Sequence, residues 1–350
     1  MKKIIICFVG VLFSASIVNA RVLEGVVLDK KTNKPVQNAL VYLDRTSFET
    51  ATNADGKFRL DVNNMINTVL VISHLAYGRV IIPNPFKSLP KVIYLEEEVE
   101  QLEEVTISAA KNKYTRKQMM KVFRRQFLGA SKGGKECKIL NENDIVLLYN
   151  DDNTLTAYSD VPVEIANPYL GYDIRWEIIE FKVKYKRESL SELMISSVSI
   201  IGTASLNDIA IDDNKIQQRR EDIYSVSPRY FFNLLSKREL DKSNFYLHHK
   251  GIPYPPEEMF TVVDDTIETS IKHITINPKE RNDEGKTVVS VKQTFQIGIK
   301  LFDKFSQLFF LSDAFSVDLY GNTDLIKGLL IYGEMSTQRI GDMLPLNYGN

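Results

Sequence analysis

The chain has 350 residues, 44% hydrophobic and 25% charged, an ordinary globular composition long enough for two domains. Its 44 basic and 45 acidic residues leave a formal net charge of −1, which argues against nucleic acid as a partner, since such proteins carry a strongly basic face.

Residues 1–20 have the form of a secretory signal. Lys2 and Lys3 make a basic start, and residues 4–12 an apolar run shorter than the roughly 20 residues a membrane helix needs. Val18-Asn19-Ala20 has the small-x-small shape of a cleavage site. The expectation is an exported protein, periplasmic or outer-membrane-associated, whose mature chain starts at Arg21 and has no transmembrane segment. That chain would keep one cysteine, Cys137, beside the apolar Ile139 and Leu140. It reads as a buried structural thiol with no disulfide partner.

Residues 22–95 read as short strands separated by turns: 26–28, 39–43, 68–73, 79–82 and 92–95, with a loop at 30–35. Between two extended runs stands Asp55-Gly56, the pair favoured in a hairpin turn because glycine tolerates positive φ. After it, Phe58, Leu60 and Val62 alternate with Lys57, Arg59 and Asp61, the pattern of a half-buried strand. Gly25 to Asp29, Thr32, Pro35-Val36, Ala39-Leu40-Val41 and the stretch 52–60 resemble the carboxypeptidase-D regulatory-like family. Ser73-His74-Leu75-Ala76-Tyr77-Gly78 fits the family's Ser-x-x-Gly-Tyr position loosely, with alanine in place of glycine. The resemblance implies a seven-stranded, transthyretin-like β-sandwich over 21–95 without catalytic residues of its own.

Residues 96–104 hold Glu96, Glu97, Glu98, Glu100, Glu103 and Glu104 and read as an extended acidic linker. The following Leu102, Val105, Thr106 and Ile107 lie in a stretch similar to the one that follows this module in outer-membrane nutrient receptors. They are the candidate partner-docking residues. The receptor barrel itself is not expected, because the remaining residues lack long runs of alternating strands of about 10 residues.

Residues 105–350 read as a β-rich α+β domain with about two helices. Thr115 opens the first, with Gln118 completing a capping box and Met119, Phe123 and Phe127 forming one apolar stripe up to Gly129. Gly133-Gly134 reads as a loop. Strands are expected at 145–149, 154–158, 163–165 and 172–185. The second helix lies between Ser227 and Asp241, with Pro228 at its first position. Strands resume at 261–263, 273–276, 287–299, 315–319 and 329–332, with a hairpin turn at 282–285 between two of them. Phe127-Leu128-Gly129, Asn167-Pro168-Tyr169 and the close at 342–348 resemble envelope proteins of Gram-negative bacteria that carry the regulatory-like module at their N-terminus. That resemblance implies location and architecture and supplies no activity.

The chain offers little catalytic chemistry. His74, His248, His249 and His273 lack the His-x-x-Glu spacing of a zinc peptidase, and neither a nucleophile elbow, a phosphate loop nor a calcium loop occurs. The pairs Asp151-Asp152, Asp212-Asp213 and Asp264-Asp265 stand in turn-like contexts. Tyr169, Tyr172 and Trp176 are the candidate ligand-stacking residues, should a glycan be the partner. The expected function is a non-enzymatic interaction or scaffold protein, needing no cofactor or metal, whose partner is another envelope protein bound through sandwich and linker. A carbohydrate-binding accessory protein, and a hydrolase with an unrecognised site, are the alternatives.

Overall fold

The computed structural model describes residues 21–97, 113–249, 252–277, 282–297, 300–325 and 328–349. The N-terminal part is a sandwich of seven strands: β1 (Arg21–Asp29), β2 (Leu40–Leu43), β3 (Glu49–Ala51), β4 (Lys57–Val62), β5 (Leu70–His74), β6 (Tyr77–Ile82) and β7 (Val92–Leu95). One sheet has the order β4-β1-β7 and the other β3-β2-β5-β6; only β1 and β7 pair in parallel. Alternation along the strands turns Val27, Val41, Leu60, Ile72 and Ile93 into a shared core. Gly56 has φ +72°, and the Asn53 carboxamide oxygen accepts from the Asp55 and Lys57 N–H groups at 3.0 and 2.9 Å. The turn expected from Asp55-Gly56 therefore forms, but it does not close a hairpin. β3 pairs with β2 and β4 with β1, so the turn is a corner between sheets.

The second part comprises α1 (Arg116–Phe127), α2 (Lys132–Glu136), β8 (Lys138–Ile139), β9 (Val146–Asn150), β10 (Thr154–Tyr158), β11 (Val163–Asn167), β12 (Tyr172–Tyr185), β13 (Ile195–Asp208) and α3 (Asn214–Tyr224). β12 is its axis. β11 pairs with its first half, β10 with its second, and β13 along the whole opposite edge. The Thr115–Gln118 capping box forms at the start of α1, and Met119, Met120, Phe123 and Phe127 are buried. Phe123 meets Phe181 with ring centroids 4.7 Å apart, and Phe127 meets Trp176 edge-on at 5.8 Å.

The third part holds α4 (Pro228–Ser236), β14 (Phe245–His249), β15 (Ile252–Pro253), α5 (Pro256–Met259), β16 (Phe260–Asp264), β17 (Ile271–Ile276), β18 (Thr287–Ile297), β19 (Lys300–Phe310), β20 (Ala314–Asp318) and β21 (Leu329–Gly333). Its sheets run β15-β14-β18-β19-β21 and β16-β17-β20. Phe231 and Phe232 of α4 pack on Phe245, Phe310 and Phe315. Residues 282–286 form a tight turn, yet β17 and β18 lie in different sheets, so here too no hairpin results.

The fold class expected about two helices, and this is corrected: five are present among the described residues, three of them longer than one or two turns (α1, α3 and α4). α3 escapes a hydrophobic-periodicity reading because its buried face carries a charge. Only Arg220 and Tyr224 are buried on it. Its start was nevertheless written in the sequence, since the Asp213 carboxylate caps it by accepting from the Lys215 and Ile216 N–H groups. Gly133 and Gly134 belong to α2, capped by Ser131.

Arg220 is only 2% exposed. It forms a bidentate pair with Asp208 at 2.7 and 2.8 Å, donates to the carbonyls of Leu170 and Gly171, and lies 4.0 Å over the Tyr172 ring. Replacing Arg220 by alanine should cost about 3–5 kcal/mol, read as a lowered unfolding midpoint, because Asp208 loses its counter-charge and the Leu170 carbonyl its side-chain donor. Burial pushes the Asp208 carboxyl up, but the Arg220 hydrogen bonds, the Ala210 N–H and the Arg220 charge together outweigh it and leave the pKa lowered. Its contribution should be full above the ordinary carboxylate pKa of about 3.9 and be lost as pH falls through the lower folded value. Asp208→Asn should therefore flatten the acid limb of a stability-against-pH curve.

Candidate functional site

The sandwich presents two contrasting faces. The face toward the rest of the molecule is polar and used up. Residues 44–46 extend the second part's sheet: the Arg45 N–H donates to Ala204 O at 2.6 Å and the Leu206 N–H donates to Thr46 O at 3.0 Å. The Asp44 carboxylate accepts from the Ala204 N–H at 2.9 Å. Beside them the Tyr42 hydroxyl lies 2.9 Å from that of Thr203 and donates to Glu177 at 3.3 Å, while Arg79 pairs with Glu177 at 2.7 Å. Burial, then the Glu177 charge, push the Tyr42 phenol well above its ordinary pKa, so it stays protonated and able to donate. A second set of bonds reaches the third part, where Asp318 accepts from the Asn67 N–H at 2.8 Å and Tyr320 enters the sandwich core.

The opposite face, on the sheet β4-β1-β7, is open. At the β4 side it is charged, with Arg59 between Asp61 and Glu24. At the β7 side it is apolar. The register puts Val26 beside Val92 and Leu28 beside Tyr94. Val22, Val92 and Tyr94 are 37%, 40% and 46% exposed. Among the described residues β7 is also an edge strand, bridged to β6 only beyond its end at Glu96 and Glu97, so an apolar patch adjoins backbone with no partner on one side among those residues.

Of the residues singled out beforehand, Leu102, Val105, Thr106 and Ile107 lie outside the described residues, as does most of the acidic segment. Tyr172 and Trp176 are buried at 2% and 6% exposure, inside the α1 core. Tyr169 is half-buried and already covered by Arg219 and Lys132 at 4.7 and 5.4 Å. The three therefore do not make an open stacking platform. The acidic pairs are dispersed: Asp152 binds Lys184, Asp213 caps α3, Asp264 binds Lys272, and Asp265 binds His273 at 2.8 Å. No group of three or more His, Cys, Asp or Glu side chains among the described residues is placed to hold a metal ion. No helix among them is long and apolar enough to cross a membrane. Cys137 is buried, and burial followed by the Asp342 charge pushes its thiol up to about 12. Sequence reading missed the junction, for Tyr42, Asp44, Arg79, Glu177 and Thr203 belong to no motif. A tyrosine, an aspartate and a glutamate inside otherwise apolar or alternating runs were its only trace.

Residues 23–107 match the CarboxypepD_reg-like domain family. That stretch contains the whole sandwich except the first two residues of β1, and so places a transthyretin-like module at the N-terminal end. No curated protein and no solved structure matches the chain.

Two expectations follow. A thiol reagent at pH 8 should label Cys137 in the native protein far more slowly than in the unfolded chain, where an ordinary cysteine pKa of about 8.5 applies. Asp44→Ala should cost about 1–3 kcal/mol by stranding the Ala204 N–H, and amide exchange should rise together at Arg45 and at Ala204 and Leu206.

Proposed function

We propose that this is an exported, non-enzymatic envelope protein whose regulatory-like sandwich is a docking module, and that it captures a partner protein by adding a strand of that partner to β7. One observation carries the reading: among the described residues β7 pairs along one side only, with β1, and carries exposed Val92 and Tyr94, continuous with Val26 and Leu28 on the open face. A sandwich held by a polar junction on one side and leaving an apolar edge on the other is oriented for strand addition. In that mode main-chain hydrogen bonds supply affinity and alternate side chains supply specificity. An incoming strand with apolar residues at every second position would meet Val92 and Tyr94. Export rests on the signal-like residues 1–20, and a non-enzymatic role on the matched module together with the dispersed acidic and histidine side chains.

The test is a Val92→Lys/Tyr94→Lys variant of the full chain, crosslinked in intact cells and purified through a C-terminal tag. Lysine at an edge strand opposes pairing while leaving the buried alternate positions Ile93 and Leu95 intact. The expected outcome is loss of the wild type's dominant crosslinked protein at an unchanged unfolding midpoint. Recovery of that protein in equal amount would sink the β7 assignment.

A further inference from the structure

Where the three parts meet there is a cleft of about 500 Å³. The sandwich contributes Arg45, α1 contributes Phe127, β12 and β13 contribute Trp176 and Ile200, and the start of α4 contributes Arg229. The C-terminal residues add Arg339, Asp342, Met343 and Leu344. The volume falls in the range of small-molecule sites, roughly 300–1,000 Å³, and the wall has their usual make-up of apolar surface with a few polar groups.

The charges on that wall do not balance. Three arginines line it with one acid, Asp342, which is buried and has its pKa raised by that burial; Asp44 pairs with Arg45 at 3.1 Å, which leaves Arg229 and Arg339 in excess. Arg229 is the telling member. Its guanidinium donates to Pro345 O and lies over the Tyr224 ring at 5.2 Å, and among the described residues no carboxylate is within ion-pair distance of it. Its remaining N–H groups have no acceptor in the protein among the described residues. Arg339 donates only to the carbonyls of Ser336 and Gln338, and Arg45 reaches only Asp44. Arg229 and Arg339 are half-buried, and a partly desolvated cation without a counter-charge is unfavourable, so such groups are normally paired. Trp176 adds an orphan donor, since its buried indole N–H has no partner among the described residues.

We propose that this cleft binds a small amphipathic anion, a single-chain aliphatic carboxylate, with the head group at Arg229 and its neighbouring arginines and the chain against Trp176, Ile200 and Met343. Guanidinium groups suit the planar head, which they can bind bidentately. The apolar wall gains nothing from a fully polar anion such as inorganic phosphate, and the arginines gain nothing from a neutral alcohol.

Trp176 is the chain's single tryptophan, so its emission reports on this cleft alone. The full mature chain is titrated with dodecanoate, dodecanol and dodecyltrimethylammonium, each below its micelle concentration, while that emission is followed. Saturable binding of dodecanoate, at least tenfold tighter than that of the other two, is expected. Arg229→Gln keeps an amide donor for Pro345 O but removes the charge, and should weaken dodecanoate about tenfold, the equivalent of one charge-assisted hydrogen bond. Arg339→Gln replaces it if the first variant fails to fold by circular dichroism. Equal affinity for dodecanoate and dodecanol, absence of a saturable change, or unaltered dodecanoate affinity in a folded variant would each overturn the assignment.

Discussion

β13 has two edges, and the arrangement of the molecule depends on what covers the second. One edge pairs with β12 from Tyr172 to Tyr185. The other meets the sandwich, whose residues 44–46 take the backbone groups of Ala204 and Leu206. An unpaired edge invites indiscriminate pairing, and here the chain's own N-terminal module meets part of that demand. The C-terminal residues then close the arrangement. Gly341 bonds to Leu128 of the α1 region, Leu346 to Arg45 of the sandwich, and Asn322 of the third part bonds to Leu346. All three hydrophobic cores are thus stitched to one short terminal stretch.

The junction is polar where an apolar one would be simpler. Tyr42, Glu177, Arg79 and Thr203 form a buried set whose desolvation offsets much of its attraction, so it is a weak source of stability. Its value is orientation. A greasy contact tolerates sliding, whereas the Tyr42 hydroxyl reaches Glu177 and Thr203 from one position only. The same fixed orientation turns the opposite sheet, with Val92 and Tyr94, away from the second part.

Local chemistry was legible wherever a pattern and its signal coincide. The α1 stripe with its capping box, and β7, β10 and β12, whose bounds match those expected, are of that kind. Pairing was not legible. Asp55-Gly56 and residues 282–285 both turn the chain as read, but a turn does not encode whether the next strand returns to the same sheet. β13 was missed because serines, Gly202 and Thr203 interrupt its Ile and Val residues. Gly202 is there for a reason visible only in three dimensions: a Cβ would come within 2.3 Å of the Trp176 indole nitrogen. That same packing removed Trp176 from the surface, where its aromatic character alone had suggested a stacking role. The cleft was out of reach of any linear reading, since Arg45, Arg229 and Arg339 come from three stretches far apart in the chain.

Arg45 ties these threads together. It is one of the non-glycine residues with positive φ, +54°, a conformation disfavoured for an L-residue by roughly 1–2 kcal/mol. Its N–H is bound to β13 and its carbonyl to Leu346, so the surrounding structure holds the residue there from both sides. Strain of this sort persists only where the environment over-determines it. At Arg45 the two bonds that hold it are among those that join the sandwich to the second part and to the C-terminal residues. The side chain they carry stands on the wall of the cleft formed by that union. Docking of the sandwich and assembly of the arginine-lined cleft are therefore one structural event, and whatever loosens the first dismantles the second.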